Sequence, residues 1–290
     1  MTILVGLAAG ERGAPALDLG AMLARSAQER LVVVSVVPRP WPPSAYGGDA
    51  EFLALAEQMA EAVLASARAR LPEDLEVDYL VRHDPSVPAG LLAVARDHEA
   101  RQVVLGSSSA GGYGRVSLGG VADRLLHSTE VPVTLAPRGF VARAETVVRR
   151  VTVAFGRGDG DSDLLGRAAA VADRIGAGIR VACFAVRPET VFPGVVSSAA
   201  DELVAREWVA GLEGDIGSAL GRPVPTVLGQ GDSWAAALSD IDWAEGDLLA
   251  IGASSSAVSR FFLGSHAAKI VRSSPVPVVL VPRALTASDG

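Results

Sequence analysis

The chain has 290 residues, of which 49% are hydrophobic, so it can bury a sizeable core and is not a mainly disordered protein. Its 26 basic and 33 acidic residues give a formal net charge of −7, which argues against nucleic acid and anionic membranes as partners. The single cysteine, Cys183, excludes an intrachain disulfide and a multi-thiolate zinc site, and it is typical of a reducing cytoplasm.

The first half of the chain alternates apolar strands with helices. Its first apolar run is too short to span a membrane, and nowhere do about 18 apolar residues follow one another. Pro15 stands in the first turn of the first predicted helix, where its missing N–H costs nothing. The predicted strands are 2–8, 31–37, 75–81, 102–106 and 131–136, and the predicted helices are 15–29, 50–70, 86–99 and 118–128.

The second half repeats the first. Residues 103–138 and 248–283 both run from an apolar strand through a glycine, three serines, a Leu-Gly pair and a helix to Val-Pro-Val. Gly106 therefore matches Gly252, and Pro132 matches Pro277. This spacing is kept over most of each half, which indicates duplication of a whole domain. We predict a first repeat at 1–138, a linker at 139–149, a second repeat at 150–284 and a C-terminal tail at 285–290. In the second repeat, strands are predicted near 150–155, 179–186, 223–229, 247–252 and 276–281, and helices near 161–175, 199–220, 233–243 and 263–273.

This order of elements predicts two tandem doubly wound α/β domains. Strands that are apolar throughout are buried on both faces, so each domain should be a five-stranded, mainly parallel sheet with helices on both sides. Pro132 and Pro277 lack the N–H that a central strand donates, which places the closing strands at sheet edges. Because these edges are too apolar to face water, we expect them to pair antiparallel, as an intramolecular pseudo-dimer. The alternative is that each edge is covered by its own helices.

The candidate ligand crevice lies beyond the carboxyl ends of the strands. It would be formed by the loops 8–14 and 106–118 in the first repeat and by 156–161 and 252–263 in the second. The loop after the fourth strand is rich in glycine and serine and leads directly into a helix. Free N–H groups and the positive end of the helix dipole then favour a phosphate.

The motif Gly-x-x-Gly-x9-Gly-Ser/Thr follows an apolar strand and leads into a helix, and a Val-Pro-Val strand comes next. This order resembles the closing half of a universal stress protein domain. The resemblance covers essentially the whole chain, which is similar to tandem, actinobacterial-like members with a serine-rich loop. It implies an adenine nucleotide alpha hydrolase-like fold and a cytoplasmic, non-enzymatic stress-response protein that also forms a homodimer. The family contains members that bind ATP and members that bind no nucleotide.

Each repeat keeps a different part of the family motif. In the first, Gly106 and Gly119 match, while Ser109 and Gly120 depart from the expected glycine and hydroxyl residue. In the second, Gly264 and Ser265 keep the ending, but the loop is one residue shorter, so the first repeat is favoured. Nucleotide-binding members carry an aspartate at the end of the first strand, where this chain has Ala8 and Gly156.

The candidate nucleotide-binding residues share a position at these strand ends and helix starts, and the serines among them can donate to phosphate oxygens. They are Ala8, Gly106, Ser107, Ser109, Gly119, Gly120, Gly252, Ser254, Ser255, Gly264, Ser265 and His266. The alternative is that the glycines serve only tight turns and close approach of strand and helix. The histidines are not spaced as metal ligands, so no metal site is expected.

Three functions are compatible with these observations. The first is a non-enzymatic stress-response protein that binds ATP or another adenine nucleotide and signals through its loops at 38–48 and 111–117. The second is a scaffold of the same family that binds no nucleotide and acts through protein contacts. The third, a nucleotide hydrolase, lacks a recognisable arrangement of base, nucleophile or metal-binding carboxylates.

Overall fold

The computed structural model describes residues 2–8, 13–39, 49–108, 112–156, 161–186, 199–252, 254–256, 259–262 and 264–282. Ser109, the tail 285–290 and most of the loop 38–48 lie outside the described residues. The elements of the first repeat are β1 (Thr2–Leu7), α1 (Ala14–Ala27), β2 (Arg30–Pro38), α2 (Asp49–Arg70), β3 (Val77–Asp84), α3 (Val87–Asp97), β4 (Ala100–Gly106), α4 (Gly120–Leu126) and β5 (Val133–Ala136).

The second repeat has the same order of elements with one addition, a short antiparallel pair of strands, β10 and β11. This pair lies within 252–263, where the sequence predicted only a loop. The elements are β6 (Arg150–Ala154), α5 (Asp161–Arg174), β7 (Gly178–Val186), α6 (Ala199–Leu220), β8 (Thr226–Gly231), α7 (Trp234–Ser239), β9 (Asp247–Gly252), β10 (Ser254–Ser256), β11 (Ser259–Phe262), α8 (Ser265–Ser273) and β12 (Val278–Val281).

Ten strands form one continuous sheet in the order β3-β2-β1-β4-β5-β12-β9-β6-β7-β8. All neighbours are parallel except β5 and β12, which pair antiparallel at the middle, and we call this pair the seam. Two doubly wound halves thus meet edge to edge, which confirms the predicted pseudo-dimer. The alternative, two separately covered edges, is wrong.

The seam explains why two prolines are tolerated beside central strands. Pro132 and Pro277 precede their strands, where each contributes only its carbonyl oxygen, to the N–H of Val103 and of Leu249 at 2.9 Å. Each proline therefore stands at the start of a strand, a position that needs no donor. The side chains of β5 and β12 that face the α3 side of the sheet, such as Leu135 and Leu280, are fully buried.

Two apolar layers cover the two faces of the sheet. One packs under α1, α2, α5 and α6, and the other under α3, α4, α7 and α8. Both layers draw residues from both repeats, so the repeats share their core. Within the described part of the chain, no helix is long and apolar enough to cross a membrane.

Local hydrogen bonds set the ends of the helices. Ser86 and Ser233 each precede a helix and accept a hydrogen bond from the backbone N–H three residues on, as N-cap serines do. Helix α7 ends at Ser239, earlier than the predicted 243, and the Asp240 carboxylate after it accepts a hydrogen bond from the N–H of Gln230. The linker is tied to α1, since Val148 N donates to Ser26 Oγ at 2.7 Å.

Candidate functional site

A cavity of about 410 Å³ opens at the carboxyl ends of β1, β2 and β4. We call it the first-repeat cavity. It lies where the strand order reverses, since β2 and β4 flank β1 on opposite sides while their crossover helices α1 and α3 lie on opposite faces. Ligands of doubly wound sheets bind at this kind of crevice, and the volume lies in the usual range for small-molecule pockets.

One end of the cavity is apolar. It is lined by Val36 from β2, Met59 from α2, and Val87 and Leu91 from α3. These side chains come from three elements, β2, α2 and α3, and they line the cavity from different sides. The arrangement suits a flat, mainly apolar group such as an aromatic ring.

The other end is made of backbone and small side chains. Gly106 is the last residue of β4 and Ser107 follows it, while Gly119 precedes α4 and Gly120 begins it. Gly119 is the N-cap and offers no side-chain cap, so the first N–H groups of α4 depend on partners from outside the helix. A Cβ atom added to Gly119 would lie 3.1 Å from the Cβ of Ser108, which shows how closely the loop approaches the helix.

The serine hydroxyls of this loop serve the loop itself. Ser107 Oγ donates to the carbonyl of Ala136 at 2.6 Å and accepts from Ser117 N at 3.0 Å. Ser108 Oγ lies 2.8 Å from Ser117 Oγ, and Ser108 N donates to Ser117 O. Ser107 has a single hydroxyl proton and it is already used, so in this conformation the loop offers an anion its remaining backbone N–H groups.

Ala8 directly follows β1 at the edge of the cavity and is exposed. Charged groups lie near the α2 side, where Glu57 Oε1 is 2.6 Å from His83 Nε2 and accepts from Arg39 Nη2 at 3.0 Å. The hydrogen bond with His83, followed by the one with Arg39, lowers the pKa of Glu57 from its ordinary value. His83 thus joins β3 to α2 beside the cavity.

Arg115 connects the first-repeat loop with the second repeat. Its carbonyl accepts from Arg138 N at 2.9 Å, and its guanidinium donates to the carbonyl of Ser273 at 2.6 Å and to Ser239 Oγ at 3.2 Å. Ser273 and Ser239 are the last residues of α8 and α7, where the helix dipole favours a cation. The loop that borders the cavity is therefore bonded across the two repeats.

The candidate residues of the second repeat lie at the matching place. Gly252 ends β9, Ser254 and Ser255 lie in β10, and Gly264 is the N-cap of α8, followed by Ser265 and His266. The ring of His266 contacts Trp234 with centroids 5.4 Å apart, and Trp234 contacts Phe184 at 6.1 Å. We call these three residues the ring stack. The sequence made His266 a candidate nucleotide-binding residue and gave no reason to join it to Trp234.

Ser35 and Met59 are among the cavity residues that have no part in the sequence-based site. Ser35 is a buried hydroxyl residue within the apolar strand β2, and Met59 on α2 is 46% exposed. A single polar residue within the run Leu31-Val-Val-Val-Ser-Val-Val was the one available signal for Ser35. Among the described residues, no group of three or more histidine, cysteine, aspartate or glutamate residues could hold a metal ion.

Comparison with known proteins places the chain in a family. The model of the universal stress protein family matches residues 1–137 and 148–282. A universal stress protein of Mycobacterium tuberculosis H37Rv, Rv2319c, is 39% identical over 292 residues, covering 97% of this chain and all of that protein. A universal stress protein structure from Archaeoglobus fulgidus covers 98% of both chains with a TM-score of 0.59 at 18% identity. A putative universal stress protein from Pseudomonas aeruginosa covers 97% of this chain and 92% of its own, with a TM-score of 0.57 at 16% identity.

Proposed function

The chain belongs to the universal stress protein family, and on that premise we propose that it is a non-enzymatic stress-response protein that binds an adenine nucleotide in the first-repeat cavity. The observation that carries the proposal is the composition of this cavity, which is apolar at one end and made of backbone at the other. A nucleotide has the same division between base and phosphates.

The base would occupy the apolar end. A purine ring could lie between Val36 and Val87 on one side and Met59 on the other, where a thioether makes favourable contacts with aromatic rings. The buried Ser35 hydroxyl supplies a hydrogen-bonding group near the floor of the cavity.

The phosphates would lie against the loop after β4 and the start of α4. Backbone N–H groups at a helix start bind phosphate without a cationic side chain. With Ala8 in place of a carboxylate, the adenosine loses a charged hydrogen bond, about 1.5–3 kcal/mol or roughly ten- to a hundredfold in affinity. If the site with the carboxylate had a dissociation constant in the micromolar range, this loss would raise it to roughly tens to hundreds of micromolar.

Two observations support a binding role. The described residues that line the cavity include no ionisable side chain, whereas acid–base and nucleophilic catalysis depend on one. The bonds of Arg115 give a route by which a change in the loop 112–117 would reach the second repeat. We infer a cytoplasmic location from the single cysteine, and a homodimer remains an expectation from the family.

The experiment is calorimetric titration of ATP into the wild type, Gly119→Val and Gly264→Val. Both variants place the same side chain at a helix N-cap, one in each repeat. Gly119 has extended φ and ψ angles that valine also adopts, so this variant should fold. We expect binding to be lost in Gly119→Val and kept in Gly264→Val.

Other outcomes have a definite meaning. Equal affinity in all three proteins would place the nucleotide elsewhere, and loss only in Gly264→Val would move it to the second repeat. No heat in any of them would favour the scaffold function, for which Ala8 and the engaged Ser107 hydroxyl are the specific observations.

A further inference from the structure

A second cavity, of about 150 Å³, lies between α1 of the first repeat and α5 of the second, beside the seam. We call it the junction cavity. Its walls are aliphatic, with Ile3 and Leu23 from the first repeat and Leu248 and Val279 from the second. It shares no lining residue with the first-repeat cavity, so it is a separate space.

One wall carries a polar group without a partner. The Nε2 atom of Gln102 is buried and makes no hydrogen bond with any described residue. Gln102 stands four residues before Gly106, and the residue four before Gly252 is Leu248, so the second repeat has an apolar side chain at this position. A buried amide N–H without an acceptor is destabilising, and an acceptor oxygen inside the cavity would relieve it once the Gln102 amide turns toward the cavity that its side chain lines.

The charges around the cavity favour an anion. Three arginines line it, Arg101, Arg167 and Arg174, against one carboxylate, that of Glu29. Arg101 lies 3.8 Å from Glu29, and Arg167 lies 3.8 Å from Asp163 and donates to the carbonyl of Pro282. Arg174 makes no ion pair within the described part of the chain. The guanidinium of Arg174, which no carboxylate among the described residues neutralises, lies beside a partly enclosed apolar space and attracts a negative head group.

We propose that the junction cavity binds a short aliphatic carboxylate. The alkyl chain lies among the aliphatic walls, and the carboxylate accepts a hydrogen bond from Gln102 Nε2 and faces the arginines. An apolar cavity of about this volume accommodates benzene, so a chain of about six carbons fills it. The absence of aromatic side chains from the described lining also favours an alkyl chain over a flat ring. This site is independent of nucleotide binding in the first-repeat cavity.

The test is calorimetric titration of sodium butanoate, hexanoate and decanoate, and of uncharged hexanol, into the full-length protein. From butanoate to hexanoate, affinity should rise roughly fourfold per methylene, which corresponds to about 0.8 kcal/mol per buried CH₂. Decanoate should bind more weakly than hexanoate because it exceeds the cavity. Affinity that keeps rising with chain length would indicate adsorption to the surface and would overturn the proposal.

Variants identify the position of the head group. Gln102→Leu introduces the residue that the second repeat has at the matching position. It should lower the affinity for hexanoate about tenfold and leave the affinity for hexanol unchanged. Because it removes the unpaired amide, it should also raise the melting temperature, so weaker binding cannot be ascribed to misfolding. Arg174→Gln should reduce the affinity for hexanoate and its salt dependence.

The control is Arg124→Gln on the exposed side of α4, which should bind hexanoate like the wild type. Equal hexanoate affinity in Gln102→Leu and the wild type would overturn the assignment. No binding of hexanoate at millimolar concentration would overturn the proposal itself. Unchanged ATP titration in the presence of saturating hexanoate would separate this site from the nucleotide site.

Discussion

The two crevices of the molecule have the same framework and different contents. Val36 and Phe184 are each the seventh residue of their strand, β2 and β7. Val87 and Trp234 each follow an N-cap serine. Val121 and His266 are each the second residue of their helix, α4 and α8. At each of these three positions, the first repeat has a valine and the second has a ring.

This difference decides where a ligand can enter. The three valines line the first-repeat cavity, while in the second repeat Trp234 contacts both Phe184 and His266. Larger side chains thus occupy the space that corresponds to the apolar end of the first cavity. If the first-repeat cavity is the nucleotide site, a few substitutions of side-chain volume separate a binding half from a packed half, with the backbone order unchanged.

The largest effect is expected when a valine of the first-repeat cavity is replaced by the ring that the second repeat has at the same position. Val87→Trp should fill the apolar end of the first-repeat cavity and weaken ATP binding by more than about a hundredfold, since the base would lose its pocket. Calorimetric titration measures the loss. Val141→Trp, at an exposed linker position, controls for the added tryptophan. Retained ATP binding in Val87→Trp would show that the nucleotide does not use this end.

The reciprocal change tests whether the ring stack is a packing unit. Trp234→Val should lower the free energy of unfolding by about 2 kcal/mol, because a half-buried ring loses its contacts with Phe184 and His266. Denaturant unfolding provides the measurement. Val87→Ala is the matched variant, and we expect it to cost less, about 1 kcal/mol, since it borders open space. Equal losses would contradict the assigned difference between the crevices.

Arg115 tests whether the two crevices communicate. Arg115→Gln should lose about 1 kcal/mol of stability through its bonds to Ser273 and Ser239. If the loop carries the effect of the nucleotide, ATP should protect amides at the end of α8 from hydrogen exchange in the wild type and not in Arg115→Gln. Arg124→Gln, on the exposed side of α4, should behave like the wild type in both measurements.

The smallest expected effect concerns acid stability at the rim of the first-repeat cavity. His83 and Arg39 lower the pKa of Glu57 below its ordinary value of 4.5. Its contribution to stability is therefore present above pH 4.5 and is lost as the pH falls through the lower folded-state pKa. Glu57→Gln should flatten the decline of stability in this acid range, as measured by denaturant unfolding at several pH values. The same decline in both proteins would assign it to other carboxylates.

The fold follows from the sequence because its signals are repeated and local. Apolar runs, the internal repeat and two Val-Pro-Val segments predict the order of elements and the seam. The pair of strands β10 and β11 was not predicted, because the three consecutive serines of β10 give no alternation of polar and apolar residues.

The site was less predictable for a geometric reason. The position of the crevice follows from the strand order, but the partners of its side chains depend on distant segments. Ser107 bonds to Ala136 and Arg115 to Ser273, and the ring stack joins residues from β7, α7 and α8. No spacing rule relates such residues. Only comparison of the two repeats within the folded structure shows that the three residues of the ring stack replace valines of the first repeat.

Joining the halves by a linker frees them from symmetry. In a dimer of identical chains, every substitution appears on both sides of the two-fold axis, so a residue that fills one crevice fills the other. Here the seam between β5 and β12 joins two segments of one chain, and the linker, tied to α1 through Val148 and Ser26, keeps them at high effective concentration. Dilution cannot separate the halves, and each can change its interior while relying on its neighbour for the sheet edge.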